Sequence, residues 1–210
     1  MSIRTTFLID GFNIYHSVLD IETRTGLKVK WLNYFSLCSS YLHIIGEDAT
    51  LEAVYYFSAL AYHLHDPGII SHHEDYIRCL ETTGVEVRLG RFKPRDIKCP
   101  LCRGTFTRNE EKETDVAIAS KMLEVLAKDE CDYVVLVTGD TDLAPAVRTA
   151  KCLYPKKRVV FAFPHGRKNE ELAIMAPGSF KIHTHNYAKH QFPDPFVLSD
   201  GTKIAKPPSW

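Results

Sequence analysis

The sequence predicts an α/β fold built on a mainly parallel central sheet, and three observations carry that reading. Short apolar runs, of which Val134-Val-Leu-Val137 is the clearest, stop abruptly at turn signals. Strands buried on both faces read in that way. Segments with apolar residues at helical spacing separate these runs, and strands alternating with helices argue for crossover connections in a parallel sheet. Two of the runs end in carboxylates, Asp10 before Gly11 and Asp140 after Thr138-Gly139. In open α/β sheets ligands bind beyond the carboxyl ends of the strands, so the two tips suggest one acidic pocket.

Taken in order, the first strand covers about Thr5 to Ile9. A helix follows near Asn13 to Leu19, and a second covers Trp31 to Ile44, where Tyr34, Leu37, Cys38, Tyr41 and Leu42 recur at helical spacing. Leu51 to Ser58 reads as the second strand, with Tyr55-Tyr56-Phe57 as core rather than as a platform for bases. Gly68 to Thr82 reads as a helix stopped by Gly84. Val85 to Phe92 alternates as a third strand with one polar face. Residues 93–109 read as an insertion, punctuated by Pro94, Pro100 and Gly104. Glu113 to Ala127 is a helix, followed by the Val134 strand and a helix from Asp142 to Cys152. Arg158 to Phe163 is a fifth strand, Asn169 to Met175 a short helix, and Phe180 to His183 a sixth strand. Residues 191–210, with Pro193, Pro195, Pro207 and Pro208, read as an extended tail without a core of its own.

Composition narrows the class. A chain of 210 residues can bury a sizeable core as one domain. Lys plus Arg and Asp plus Glu both number 26, so a nucleic-acid partner must be held by a local patch rather than by net charge. No apolar run is long enough to span a membrane, and the first ten residues do not read as a signal peptide. Six irregularly spaced Cys do not form a secreted disulfide framework, and a reducing cytoplasm is the simplest expectation.

Four carboxylates stand out: Asp10, Asp115, Asp140 and Asp142. Each has an ordinary structural reading. Asp10 before Gly11 suits an Asx turn, Asp142 suits a helix N-cap, and Asp115 suits the first turn of a helix. Asn13 suits an N-cap as well. Together, two acid-tipped strands and Thr-Gly-Asp-x-Asp favour a functional set. Clustered carboxylates repel one another, and a cation is the natural compensation. All-oxygen ligands favour Mg²⁺ or Mn²⁺ over zinc.

Three blocks carry a family resemblance: Ile9-Asp-Gly-Phe-Asn-Ile-Tyr15, Lys112-Glu-Thr-Asp-Val116, and Thr138-Gly-Asp-Thr-Asp-Leu143. In this order they resemble the signature blocks of the NYN domain family, which is similar to PIN-domain nucleases. The resemblance runs from about residue 5 to residue 185, and the Gly-Asp-x-Asp block is its most specific part. It implies a PIN-like three-layer sandwich, a domain over residues 1–190, a divalent metal and ribonuclease activity. By this match Asp10, Asp115, Asp140 and Asp142 become metal-site acids, with Asn13 beside them.

Two further features remain. Cys99-Pro-Leu-Cys102 is half of a zinc-knuckle pattern, and a structural site needs four ligands. Cys79, His72, His73 or another subunit could supply the rest; a metal-free turn is the competing reading. Between Arg88 and Arg108 the basic residues are Arg88, Arg91, Lys93, Arg95, Lys98, Arg103 and Arg108, against Asp96 alone, with Phe92 and Phe106 among them. Basic side chains neutralise phosphates and aromatic faces stack unpaired bases, so this segment is the candidate RNA contact. Its competing reading is a solvated hairpin balanced by Glu110, Glu111 and Glu113. The paired His63 and His65, His72 and His73, and His183 and His185 lie near element ends and take no catalytic role.

The expected function is metal-dependent ribonuclease action on RNA, with a homodimer left open. The alternatives are a non-catalytic RNA- or protein-binding adapter of the same fold and a small-molecule phosphohydrolase. A dinucleotide-binding protein is disfavoured, since no Gly-x-Gly-x-x-Gly turn follows the first strand.

Overall fold

The apolar runs become the centre of a seven-stranded sheet in the computed structural model, which describes residues 2–62 and 66–210. His63 and His65 lie outside the described residues. The first half comprises β1 (Ile3–Asp10), α1 (Gly11–Thr25), α2 (Tyr34–Ser40), α3 (Leu42–Ile45), β2 (Ala49–Ala59) and α4 (Pro67–Thr82). A long hairpin follows, made of β3 (Val85–Lys98) and β4 (Thr105–Lys112). Next come α5 (Thr114–Ala127), β5 (Tyr133–Val137), a single 3₁₀ turn at Thr141–Leu143, α6 (Ala144–Leu153) and β6 (Arg158–Phe163). The chain closes with α7 (Glu170–Met175), β7 (Phe180–Lys181), α8 (Thr184–Lys189), β8 (Phe196–Val197) and β9 (Lys203–Ile204).

The strand order is β4-β3-β2-β1-β5-β6-β7, parallel throughout except for the β3–β4 pair. Alternation along each strand divides the core in two. Phe7, Ile9, Val54, Tyr56, Val135 and Val137 face the layer of α1, α2 and α4. Leu8, Tyr55, Phe57, Val134, Leu136 and Phe161 face α5, α6 and α7. Both faces are covered, which is why these strands read as continuous apolar runs rather than as alternating ones.

Three sequence expectations change. The helix expected over Trp31 to Ile44 is broken at Tyr41, giving α2 and α3, and Asn33 caps α2 by accepting the Ser36 N–H at 3.0 Å. The insertion over residues 93–109 is a regular hairpin, the form its competing reading names. Strand β3 runs on past Phe92 and pairs antiparallel with β4, Arg91 opposite Lys112 through Lys98 opposite Thr105. Pro94 is tolerated because β3 lies beyond the parallel sheet there and pairs on one side only. The last twenty residues have no separate core, yet they are not a free extension: Phe192, Leu198 and Ile204 are buried in the layer of α1, α2 and α4. Phe192 lies 5.7 Å from the Trp31 ring, and Trp210 reaches the Tyr76 ring at 5.4 Å.

The docked tail can be tested by stability. Phe192→Ala removes a buried ring that touches Trp31, Tyr76 and Phe196, and the expected loss is about 3–5 kcal/mol. Urea denaturation followed by tryptophan fluorescence measures it. A loss below about 1 kcal/mol would mean that the tail leaves the core in solution.

Candidate active site

Strand order reverses between β1 and β5. The chain moves from β1 to β2 on one side and reaches β5 on the other, and such a switch point opens a crevice at the carboxyl ends of the strands. Asp10 is the last residue of β1 and is 3% exposed. Burying a carboxylate is costly unless its oxygens are satisfied, and both are. Its Oδ1 accepts the Asn13 N–H at 3.0 Å, which caps α1. Its Oδ2 accepts the Thr138 hydroxyl at 2.8 Å from the neighbouring strand.

Thr138 then turns the chain toward the next acid, its Oγ1 accepting the Asp140 N–H at 3.1 Å. Asn13 completes the link: its Oδ1 accepts the Gly139 N–H at 3.1 Å. The tips of β1 and β5 are therefore joined by side chains from each. Two glycines let other backbone segments pack closely against these tips. A Cβ on Gly11 would lie 2.5 Å from the Phe57 carbonyl oxygen, and one on Gly139 would lie 1.9 Å from the Arg167 carbonyl oxygen.

Asp115 arrives from the far edge of the sheet. The hairpin returns through β4 and α5 begins at once, with Glu113 in the left-handed region at φ 82°. Glu111 holds this start by accepting the N–H and the hydroxyl of Thr114. One carboxylate oxygen each from Asp10, Asp115 and Asp140 lie within 4.8 Å of one another. Among the described residues, no basic side chain forms an ion pair with any of the three.

The electrostatic consequence is a raised proton affinity. Burial pushes the Asp10 carboxyl up, against the hydrogen bonds from Asn13 and Thr138, and Asp140 adds to the rise. Asp115 is pushed up to about 6, first by burial and then by the charges of Asp10, Asp140, Glu111 and Asp142. Three convergent oxygen donors of one sign, with no protein cation between them, fit a hard divalent ion such as Mg²⁺ or Mn²⁺.

The other expected residues are placed differently. Asp142 is exposed and stands outside the group of three. It does not cap the following helix; Asp140 caps the 3₁₀ turn instead, accepting the Asp142 N–H at 2.9 Å. On the hairpin, alternation puts Arg91, Lys93, Arg95, Arg108 and Lys112 on one face and Phe92 and Lys98 on the other. Part of that basic face is balanced: Arg91 pairs with Glu113 at 2.6 Å, and Arg95 and Lys112 with Glu110 at 3.2 and 2.9 Å. Arg88 pairs with Glu86 at 3.2 Å, and Arg103 lies in the hairpin turn with Cys99 and Cys102. Between α1 and the hairpin runs a cleft of about 530 Å³, lined by Phe12, Tyr15, His16 and Phe92 together with residues 108–112.

Sequence reasoning misses Thr138 and Glu111 as supports of the acids, and it misses the aromatic cleft. Thr138 stands in the block that singles out Asp140, but nothing in spacing says that its hydroxyl reaches across to β1.

A family model described as NYN domain matches residues 4–182. The chain belongs to the NYN domain family. NYN domains are PIN-like and nuclease-related, and the mainly parallel curled sheet between two helical layers is a PIN-like α/β sandwich. Among solved structures, the chain is similar to a protein of unknown function from Vibrio parahaemolyticus. That likeness has a TM-score of 0.57 and 19% identity, and it covers 87% of this chain and 94% of that one. No curated protein matches the chain. Within this NYN domain, Lys112-Glu-Thr-Asp115 carries an extra acid, and the structure separates the two. Glu113 turns outward to Arg91, while Asp115 turns in toward Asp10 and Asp140.

Asp115 makes the stability of the site depend on pH. Its folded-state pKa, about 6, lies above the ordinary value of 3.8. The folded state therefore holds the proton more tightly, and this contribution to stability is full below about pH 4 and lost as pH rises through about 6. In chelator, Asp115→Asn is expected to raise stability at pH 7.5 by on the order of 1 kcal/mol after solvent screening, or about 2–4 °C in melting temperature. The gain should vanish near pH 4. Thermal melts of both proteins across this range check it; a gain independent of pH would reject the raised carboxyl.

Proposed function

We propose that the protein is a divalent-metal-dependent ribonuclease that hydrolyses RNA phosphodiester bonds to leave a 5′-phosphate and a 3′-hydroxyl. The convergence of Asp10, Asp115 and Asp140 at the switch point of the sheet carries this reading. Mg²⁺ or Mn²⁺, when bound, supplies charge neutralisation at phosphoryl oxygens and activation of water. Asp10 and Asp140 would hold the ion. Asp115, the half-buried acid with a raised carboxyl, would complete the set and orient the attacking water. Asp142, exposed beside them, adds negative charge at the rim. Asn13 and Thr138 act through the acids by fixing the two strand tips.

The RNA path is proposed to run along the basic hairpin face and into the aromatic cleft between Phe12 and Phe92, whose rings meet edge-on at 5.8 Å. Aromatic faces and phosphate-neutralising cations together suit an unpaired strand. A small-molecule phosphohydrolase has no use for a basic face of this length, and an adapter has no use for three converging acids. Six unpaired cysteines suit a reducing cytoplasm, and none of the described helices is long and apolar enough to cross a membrane.

Asp140→Asn is the direct test. End-labelled single-stranded RNA, duplex RNA and single-stranded DNA are each incubated with Mg²⁺, Mn²⁺ or chelator. Cleavage of RNA should require the metal and fall by about 100-fold or more in the variant. The variant's melting temperature in chelator should be unchanged or raised, because one charge leaves a repulsive group. Unimpaired cleavage by the folded variant would reject the acid assignment.

A second test concerns the path. Combining Arg91→Ala, Lys93→Ala and Arg95→Ala should weaken binding to RNA of any sequence. It should also flatten the salt dependence by about one unit for each cation taken away from a phosphate. Binding is measured in Ca²⁺ to limit turnover. An unchanged slope would show a solvated hairpin and move the path toward Lys156, Lys157, Arg167 and Lys168.

A further inference from the structure

The tip of the β3–β4 hairpin is built for a purpose that the acids do not use. Beyond the last cross-strand pair, Lys98 with Thr105, the residues 99–104 fold into a tight knuckle. The Cys99 N–H donates to the Gly104 carbonyl at 2.8 Å, and the Arg103 N–H donates to the Cys99 carbonyl at 2.9 Å. Arg103 takes the left-handed conformation, φ 57°, that this closure demands. The backbone N–H groups of Cys102 and Leu101 point at the Cys99 sulfur and hold its thiol below the usual range. The Cys102 sulfur lies over Gly104, close enough that a Cβ there would be 3.3 Å away.

Two thiolates make half of a tetrahedral zinc site. Nothing else among the described residues completes it. Among the described residues, Asp10, Asp115 and Asp140 are the only three or more potential ligands within reach of one ion. Cys38, Cys79 and Cys131 are buried in the core, so Cys79 cannot serve as the missing ligand. His72 and His73, on α4, join no such group either.

We propose that Cys99 and Cys102 are half of a zinc site that a second copy of this chain completes, so that one ion joins two hairpin tips. Two identical two-ligand tips related by a twofold axis supply four sulfurs, the ligand set of a closed structural site. Charge agrees with this pairing. Four thiolates around a dication leave two negative charges, and each copy brings Lys98 and Arg103, neither with an ion-pair partner among the described residues. Apolar surface agrees as well. Leu101 is 94% exposed beside the knuckle and Phe106 is 53% exposed opposite Ile97, so each tip carries apolar area that the partner tip would cover.

The test uses the full chain, purified under reducing conditions without chelator. Elemental analysis is expected to give one zinc per two chains, and light scattering a mass twice that of one chain. A strong chelator should halve the mass and added Zn²⁺ restore it. Cobalt substitution should give the visible absorption of a tetrahedral thiolate site. Cys102→Ser should lose zinc and dimer together while melting as the chelated parent does, and Asp140→Asn should keep both, which separates this site from the nuclease reading. A chain that takes up no zinc even when Zn²⁺ is added, or a monomer with one zinc per chain, would overturn the proposal.

Discussion

A buried carboxylate at the end of the first strand governs the shape of the site. Asp10 cannot be placed at 3% exposure without donors for both oxygens, and the fold provides one from α1 and one from β5. The capping bond sets where α1 starts, and the Thr138 bond sets how the chain leaves β5. Asp140 is then delivered to the same point by its own N–H bond to Thr138. A single desolvated acid therefore organises the two elements that flank the switch point, and the third acid needs only to arrive from the hairpin side.

The parts of the fold legible in the sequence are those whose signals are local. The run Val134 to Val137 and the run Thr6 to Ile9 read as strands because both faces are covered, which removes polar residues from the pattern. Asp10 and Asp140 read as tips for the same reason. The outer hairpin reads only as a competing possibility, because beyond Phe92 its strands stand clear of the parallel sheet and carry charge on nearly every other residue, so no apolar alternation marks them. The break at Tyr41 is hidden too: the apolar spacing continues through it from Leu37 to Leu42, and only the cap geometry reveals two helices.

Contacts between distant segments are the least legible. Phe192 and Trp210 sit in a Pro-rich stretch, and Pro argues locally for an extended chain. Whether an extended chain is free or laid along a core depends on Trp31 and Tyr76, far earlier in the sequence. Likewise, the motifs around Asp10, Asp115 and Asp140 indicate acids of interest, but the parts played by Glu111 and Thr138 emerge only with their hydrogen bonds.

The sheet ends on one side in β4, a strand of eight residues whose outer backbone edge has no partner strand among the described residues. Such an edge is a template for adding foreign strands and so for aggregation. At the opposite side the hazard is small, since β7 is two residues long. On β4 the defence is chemical rather than geometric: Arg108, Glu110 and Lys112 alternate along one face and keep hydrated charge beside the open backbone. The charges proposed to face RNA on this hairpin also guard its open edge against strand pairing, so neutralising them would trade solubility along with affinity.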